Sequence, residues 1–257
     1  MKKSSNLDRD RIIIGTMLTC SVFLLTWAAF SWASFTDFLV VEETRIHGHS
    51  IIKENEYRSL LGPIDGQKMN RIEIDDIRIA IESHPYVQAA RVSRQFPNRV
   101  NIEILERKPI AIIRINPPVL IDSEKIVLPI ENNNVEYEVP SLSKFNSAKS
   151  LYPLGKPTLS QNVIDAVSYI NHIKINYPNL YENLSEVRLN LQEEFELILA
   201  EEPTIVTLGK LNITEKLYIL QEFDLTLPFQ RKLTDYRYID LRYKNQIVAR
   251  EWSIRQN

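Results

Sequence analysis

An uncharged run near the N-terminus limits the folds open to this chain more than any other feature. Residues 12–36 carry no charged side chain and lie between Arg11 and Asp37. At about 1.5 Å per residue, a helix over this run is longer than the roughly 30 Å hydrocarbon core of a bilayer. The sequence therefore predicts one transmembrane helix over residues 12–36.

The flanks of this run predict its orientation. Four basic residues lie within positions 1–11, and Trp27 and Trp32 lie toward the opposite end. Basic flanks favour the cytoplasm and tryptophan rings favour the headgroups, so we expect a cytoplasmic tail over residues 1–11 and a periplasmic remainder. Ser31 and Ala33 also fit a cleaved signal peptide, but its apolar core would span only about 7–15 residues, so we favour an uncleaved anchor.

Composition argues against several classes of function. The 257 residues include only six glycines, with no Gly-x-Gly-x-x-Gly and no Gly-Lys-Ser/Thr, which argues against a nucleotide enzyme. The 31 basic and 33 acidic residues provide no broad cationic surface, so we expect no nucleic-acid partner. Cys20, the single cysteine, lies in the predicted anchor, so hydrophobic cores must stabilise the exterior part.

Apolar periodicity predicts a small α+β unit after the anchor. A β-prone stretch ends at Ile46, and helical spacing follows over residues 53–61 and again at Ile74, Ile77 and Ile81. Residues 87–94 and 99–106 then read as two strands joined by a turn. This β-α-α-β-β order predicts two helices that cover one face of a small sheet.

Specific residues in this unit carry more information than its periodicity. They are Ile46-x-Gly48, Pro85-Tyr86-Val87-x-x-Ala90-x-Val92-x-Arg94, and Phe96-Pro97-x-x-Val100-x-Ile102-x-Ile104-x-Glu106-Arg107-x-Pro109-x-Ala111. This pattern resembles the POTRA domain of the FtsQ/DivIB family of bacterial cell-division proteins, and FtsQ more closely than DivIB. The resemblance implies a POTRA domain over residues 41–112 and an FtsQ-type β domain over residues 113–257.

The resemblance continues into the second domain. Its matches are Leu120-Ile121-Asp122, Leu208-Gly209-Lys210 with Lys216-Leu217, and Tyr238-Ile239-Asp240-Leu241-Arg242-Tyr243. One departure is Ser123-Glu124-Lys125, where the family usually has a glycine soon after the aspartate.

Periodicity independently predicts a mixed β domain with flanking helices over the second half of the chain. Helical stripes occur at Val163 to Ile170 and around residues 214–223, and we expect mostly loops over residues 131–155. Alternation predicts strands through Val187, Leu189 and Leu191, through Phe195, Leu197 and Leu199, over residues 204–208, and in a terminal hairpin over residues 236–252.

Two groups of residues are candidate docking sites. Arg94, Glu106 and Arg107 on the POTRA hairpin are either cross-strand partners or part of a docking edge, and the sequence favours neither. Near the C-terminus, a β-prone stretch flanked by aromatic residues predicts an open edge that binds a partner strand. Its candidate residues are Tyr243, Lys244, Asn245, Gln246, Ile247, Val248 and Trp252. Alternatively, these aromatics complete the domain's own core.

The resemblance implies a non-enzymatic, single-pass inner-membrane protein of the division septum, with no cofactor and no metal. Its implied partners are the coiled-coil division proteins FtsB and FtsL, other divisome membrane proteins, and lipid around the anchor. The family's aromatic contacts fall on Tyr243 and Trp252. Two alternatives stay open: a POTRA-bearing component of envelope assembly or secretion, and a membrane-anchored cell-wall hydrolase. Against the hydrolase, Asp75-Asp76, Glu193-Glu194 and Glu201-Glu202 are adjacent pairs, whereas acid–base catalysis needs two different environments across a cleft.

Overall fold

The computed structural model describes residues 4–35, 39–131, 137–244 and 246–252. Helix α1 spans Ser4–Phe35 and is apolar enough to cross a membrane over Asp10–Trp32. Its side chains over that stretch are largely exposed, as expected for a helix whose apolar surface faces lipid. The chain divides into two compact units, residues 1–83 with 89–105, and residues 84–88 with 106–257.

The first unit contains the predicted β-α-α-β-β arrangement. Its elements are β1 (Glu43–His47), α2 (Glu54–Leu60), α3 (Ile74–Glu82), β2 (Val87–Gln95) and β3 (Arg99–Glu106). The three strands form a sheet of order β1-β3-β2, in which β1 is parallel to β3. The i, i+4 pair Ile77 and Ile81 of α3 is buried, as its spacing predicted.

The second unit is built on a nine-stranded mixed sheet. Its order is β12-β11-β10-β9-β8-β7-β4-β5-β6. The strands are β4 (Pro109–Ile113), β5 (Val119–Asp122), β6 (Val127–Leu128), β7 (Ser141–Ser143), β8 (Leu184–Leu189), β9 (Phe195–Leu199), β10 (Ile205–Gly209), β11 (Tyr236–Asp240) and β12 (Val248–Glu251). The pairs β4–β7, β7–β8 and β10–β11 are parallel and the other five are antiparallel.

The described residues of this unit also form three α-helices: α4 (Gln161–Asn176), α5 (Pro178–Glu182) and α6 (Ile213–Thr226). Helix α4 contributes an apolar stripe to the main hydrophobic core, at the spacing that the sequence predicted: Val163, Ala166, Val167, Ile170 and Ile173. Helix α6 adds Ile213, Leu217 and Leu220 to the same core. The predicted α+β architecture is thus confirmed.

The turn after β5 explains the missing family glycine. Lys125 adopts the left-handed conformation, with φ of 68°, where glycine is normally favoured. The Asp122 carboxylate accepts a hydrogen bond of 2.8 Å from the backbone N–H of Ile126, and the Asp122 carbonyl accepts one of 3.1 Å from the N–H of Lys125. These bonds hold the turn without a glycine.

One expectation from periodicity is wrong. Leu191 does not continue β8 but lies in the β8–β9 turn with 98% of its surface exposed, because the Asn190 N–H bonds the Glu194 carbonyl and reverses the chain. The described residues of the stretch 131–155 are mostly loop, as expected, but they also contain β7, which pairs with β4 and β8 inside the sheet. Residues 132–136 of that stretch lie outside the described residues.

Candidate functional site

Strand β12 forms one end of the nine-stranded sheet. Its inner side pairs with β11, matching Asp240 with Val248, Ile239 with Ala249 and Tyr238 with Arg250. No other strand in the described part of the chain pairs with its outer side. All four β12 residues are exposed. An edge of this kind can add a further strand through backbone hydrogen bonds.

Two hydrogen bonds show which β12 backbone groups face outward. The N–H of Trp252 donates to the carbonyl of Asp235, at 3.4 Å, and the N–H of Leu241 donates across to Thr207 of β10, at 2.9 Å. Backbone groups alternate sides along a strand, so if Leu241 faces β10, its neighbour Asp240 faces β12. Asp240 lies opposite Val248, and Trp252 faces the same way, so the N–H and C=O groups of Val248 and Arg250 face β11. The N–H and C=O groups of Ala249 and Glu251 therefore point outward.

A charged network fixes the chain where it leaves β11. The buried Asp240 carboxylate accepts hydrogen bonds from Arg242 Nη2 and from the Tyr238 hydroxyl, both at 2.7 Å. Arg242 Nη1 also donates to Glu194, at 3.0 Å. Burial raises the pKa of Asp240, but the hydrogen bonds from Arg242 and Tyr238 outweigh it and hold the pKa below its ordinary value. The network therefore positions residue 243.

Trp252 is tied to the sheet directly after β12. Its indole N–H donates to the Thr234 carbonyl at 3.2 Å, and its ring lies 5.9 Å from the guanidinium carbon of Arg237. The side chain is still 37% exposed, and Tyr243 is 51% exposed. Both aromatics therefore keep surface that a partner can cover.

A cleft of about 680 Å³ adjoins this edge. It lies between the N-terminal half of α6 and the segment that leads into β12. Its walls include Leu211, Glu215, Ile219, Tyr243, Gln246 and Ile247. Ile247 packs against the hydrophobic core from this segment. The cleft can receive a side chain that accompanies a strand bound at β12.

The terminal candidate residues lie together at this sheet end. Lys244 and Gln246 are exposed, Ile247 is half-buried, and Val248 begins β12. Asn245 lies outside the described residues. Ala249, Arg250 and Glu251 were missing from the predicted partner-binding set, although they form most of the edge. Charged residues beside a terminal β-prone stretch are a typical edge-strand signal and identify Arg250 and Glu251.

The POTRA candidates make internal contacts. Arg94 donates to the backbone carbonyl of Ile72, and Glu106 is buried. Arg107 lies 2.7 Å from Asp122 and 2.6 Å from Glu124. These contacts favour a structural role for the three side chains, and a docking role stays a prediction.

Comparison with known proteins covers both units. A family model described as POTRA domain, FtsQ-type, matches residues 40–107, and one described as FtsQ/DivIB, C-terminal related, matches residues 108–250. The chain belongs to the FtsQ/DivIB family. It is 23% identical to the cell division protein FtsQ of Geotalea daltonii over 244 residues, which cover 94% of this chain and 86% of that protein.

Further FtsQ proteins give matches of different extent. The chain is 23% identical to FtsQ of Geobacter sp. (strain M21) over 228 residues, covering 88% of this chain and 81% of that protein. It is 32% identical to FtsQ of Rickettsia felis over 85 residues, covering 33% of this chain and 32% of that protein. The predicted FtsQ/DivIB resemblance is confirmed, and it assigns the chain a role in the divisome. Helix α1 is compatible with a single-pass inner-membrane FtsQ-type protein at the septum.

Proposed function

We propose that this chain is a non-enzymatic divisome scaffold that recruits and holds FtsB/FtsL-type coiled-coil proteins by strand addition at β12. The observation that carries the proposal is the outer side of β12, which pairs with no other strand among the described residues, while its inner side is paired with β11. Ala249 and Glu251 direct their backbone groups to that open side. An extended partner segment would satisfy these groups while Tyr243, Val248 and Trp252 contact its side chains.

Membrane anchoring strengthens such an interaction. With α1 spanning the inner membrane, the N-terminus in the cytoplasm and the bulk of the chain in the periplasm, the scaffold and its membrane-bound partners share one plane. Confinement to a plane raises the effective concentration of the partner, so a short added strand gives stable association. Lipid around α1 and other divisome membrane proteins complete the proposed set of contacts.

Two of the acidic pairs, Glu193-Glu194 and Glu201-Glu202, include a residue with a structural role, which favours a scaffold over a hydrolase. Glu194 accepts hydrogen bonds from Arg242 and Asn190, and Glu201 lies 3.4 Å from the Lys232 ammonium. These carboxylates stabilise turns through ion pairs on the surface. Acid–base catalysis needs two carboxyl groups in different environments across a cleft, whereas these carboxylates hold turns together.

A proline substitution tests strand addition most directly. Ala249→Pro removes an outward N–H without deleting a bond to β11, and proline is tolerated on the free side of an edge strand. We expect about a tenfold or greater loss of the FtsB-type protein of the same organism when the tagged full-length chain is purified from solubilised membranes. Ala249→Val, which keeps the N–H, serves as the matched control and should bind normally.

The aromatic contact has its own variant. Tyr243→Ala shortens an exposed side chain at the cleft, so we expect weaker partner recovery with unchanged folding. Circular dichroism and membrane extraction verify the fold and insertion of each variant. Full recovery of the partner by folded Ala249→Pro would refute strand addition at β12.

A further inference from the structure

One end of the three-stranded sheet lies next to the membrane anchor in the chain. Strands β1 and β3 are parallel and start together, with Glu43 opposite Arg99. The β2–β3 turn precedes Arg99 and lies at this same end. The backbone N–H of Glu42 donates to the carbonyl of Asn98, at 2.9 Å, and ties the turn to the segment that leads from the anchor.

The connection to the anchor is short. Val40 already pairs with Lys68, and the N–H of Val41 donates to the carbonyl of Gln67, at 2.9 Å. Val40 follows the last residue of α1, Phe35, by five positions, which span at most about 18 Å even when fully extended. The headgroup region adds roughly 5–8 Å to each side of the hydrocarbon core. The chain therefore holds this sheet end at or close to the lipid surface.

Phe96 occupies this end with an exposed aromatic ring. It lies in the β2–β3 turn and is 69% exposed. Single exposed apolar residues are common, so exposure alone carries no meaning. The position of Phe96 distinguishes it, because the short connection keeps this sheet end within reach of the membrane and aromatic rings favour the boundary between headgroups and acyl chains. Leu105 on the same strand pair is similarly exposed, at 56%, but lies at the far end of β3.

We propose that the β2–β3 turn inserts Phe96 into the lipid interface of the membrane that α1 spans. The ring gives the first unit a second lipid contact, which limits the tilt of the three-stranded sheet on its anchor. Glu43 at this end pairs with both Arg99, at 3.0 Å, and Arg45, at 2.8 Å. The insertion is driven by the apolar ring of Phe96. This inference rests on anchoring by α1 and not on partner binding at β12.

Site-directed spin labelling of the full-length chain in phosphatidylethanolamine/phosphatidylglycerol vesicles tests the contact. The single cysteine makes the design simple: Cys20→Ser removes it, and Phe96→Cys or Leu105→Cys introduces one label. We expect the label at position 96 to be more accessible to oxygen, which concentrates in lipid, than to a water-soluble nickel chelate. The order should invert at position 105. A label on native Cys20 verifies that α1 lies in the bilayer.

A second pair of variants keeps the native ring. With Cys20→Ser and Gln95→Cys, the label reports on the turn while Phe96 is present or replaced by Asp. We expect Phe96→Asp to move the label toward water, since a charge opposes insertion. Equal nickel accessibility with Phe and with Asp would overturn the proposal. Spin–spin broadening at position 96 would also overturn it, because it would show contact between two copies. Both results are independent of partner recovery at β12.

Discussion

Arg242 binds the buried carboxylate of Asp240 two residues before it, with Nη2 2.7 Å from Oδ2 and Nε 3.0 Å from Oδ1. This bidentate contact holds the chain directly after the last residue of β11. The backbone N–H of Arg242 donates to the same carboxylate. The contact places Tyr243 beside the edge strand. Its chemistry also makes the sheet end sensitive to acid.

The first prediction concerns that acid sensitivity. Burial raises the pKa of Asp240, but hydrogen bonds from Arg242 and Tyr238 hold it below 3.8. A lowered folded-state pKa means that this group stabilises the fold above its unfolded pKa, and that the contribution disappears as pH falls through the folded value. Arg242→Ala should lower the free energy of unfolding at pH 7 by about 1–3 kcal/mol, and this deficit should shrink as pH falls and Asp240 becomes protonated.

Urea unfolding of the full chain in detergent, followed by circular dichroism from pH 7 down to about pH 2.5, measures both effects. Arg250→Ala removes an exposed arginine from β12 and should change stability by less than about 0.5 kcal/mol. Equal stability of the two variants at pH 7 would contradict the role assigned to Arg242.

The second prediction compares two glycines with similar positive φ angles. Gly48 has φ of 88°, and a Cβ there would lie 2.0 Å from the backbone oxygen of Ile104. Gly66 has φ of 85° with no atom within 4 Å of its Cβ position. Gly66→Ala should cost about 1–2 kcal/mol through the left-handed conformation alone. Gly48→Ala should cost about 3 kcal/mol or more, because the backbone must also move. Thermal unfolding separates the two, and similar losses would argue against close packing at Gly48.

The third prediction decides the role of Arg107. Its side chain is 14% exposed and binds Asp122, which is 5% exposed, and Glu124, which is 51% exposed. Arg107→Ala leaves a buried carboxylate without its cation and should lower the free energy of unfolding by about 2–4 kcal/mol. Glu124→Gln alters only the exposed pair and should cost at most about 1 kcal/mol. Unchanged stability of Arg107→Ala in denaturant titrations would favour the docking role instead.

The fourth prediction separates the two contacts of Trp252. Trp252→Phe keeps an aromatic ring but loses the indole hydrogen bond to Thr234, and should destabilise the β11–β12 pairing by about 0.5–1.5 kcal/mol. Trp252→Ala also loses the ring above Arg237 and should destabilise it further. Hydrogen exchange of the inward N–H groups of Val248 and Arg250 reports the pairing, with about tenfold faster exchange for each 1.4 kcal/mol. Equal exchange in both variants would show that the ring does not hold the edge.

Apolar periodicity predicted the helices and strands that are long enough to show a repeat within their own residues. The spacing of Ile77 and Ile81 gave α3, and alternation at Val100, Ile102 and Ile104 gave β3, since each element buries one of its faces. Strand β7 was missed because its three residues are too few to show a period, and its place depends on β4 and β8. Leu191 was misassigned because the alternation of apolar and polar residues continues in the sequence beyond the point where the chain turns.

The sequence by itself determined the apolar anchor, the POTRA order of elements, the family and the aromatic segment near the C-terminus. Each follows from residue types at short spacing in the sequence, and these patterns do not depend on how distant parts of the chain pack together. Only the tertiary structure decided that, among the described residues, β12 is the outermost strand at its end of the sheet, with the backbone groups of Ala249 and Glu251 facing outward. Strand order depends on contacts between residues far apart in the chain, and a free edge is a property of the assembled sheet.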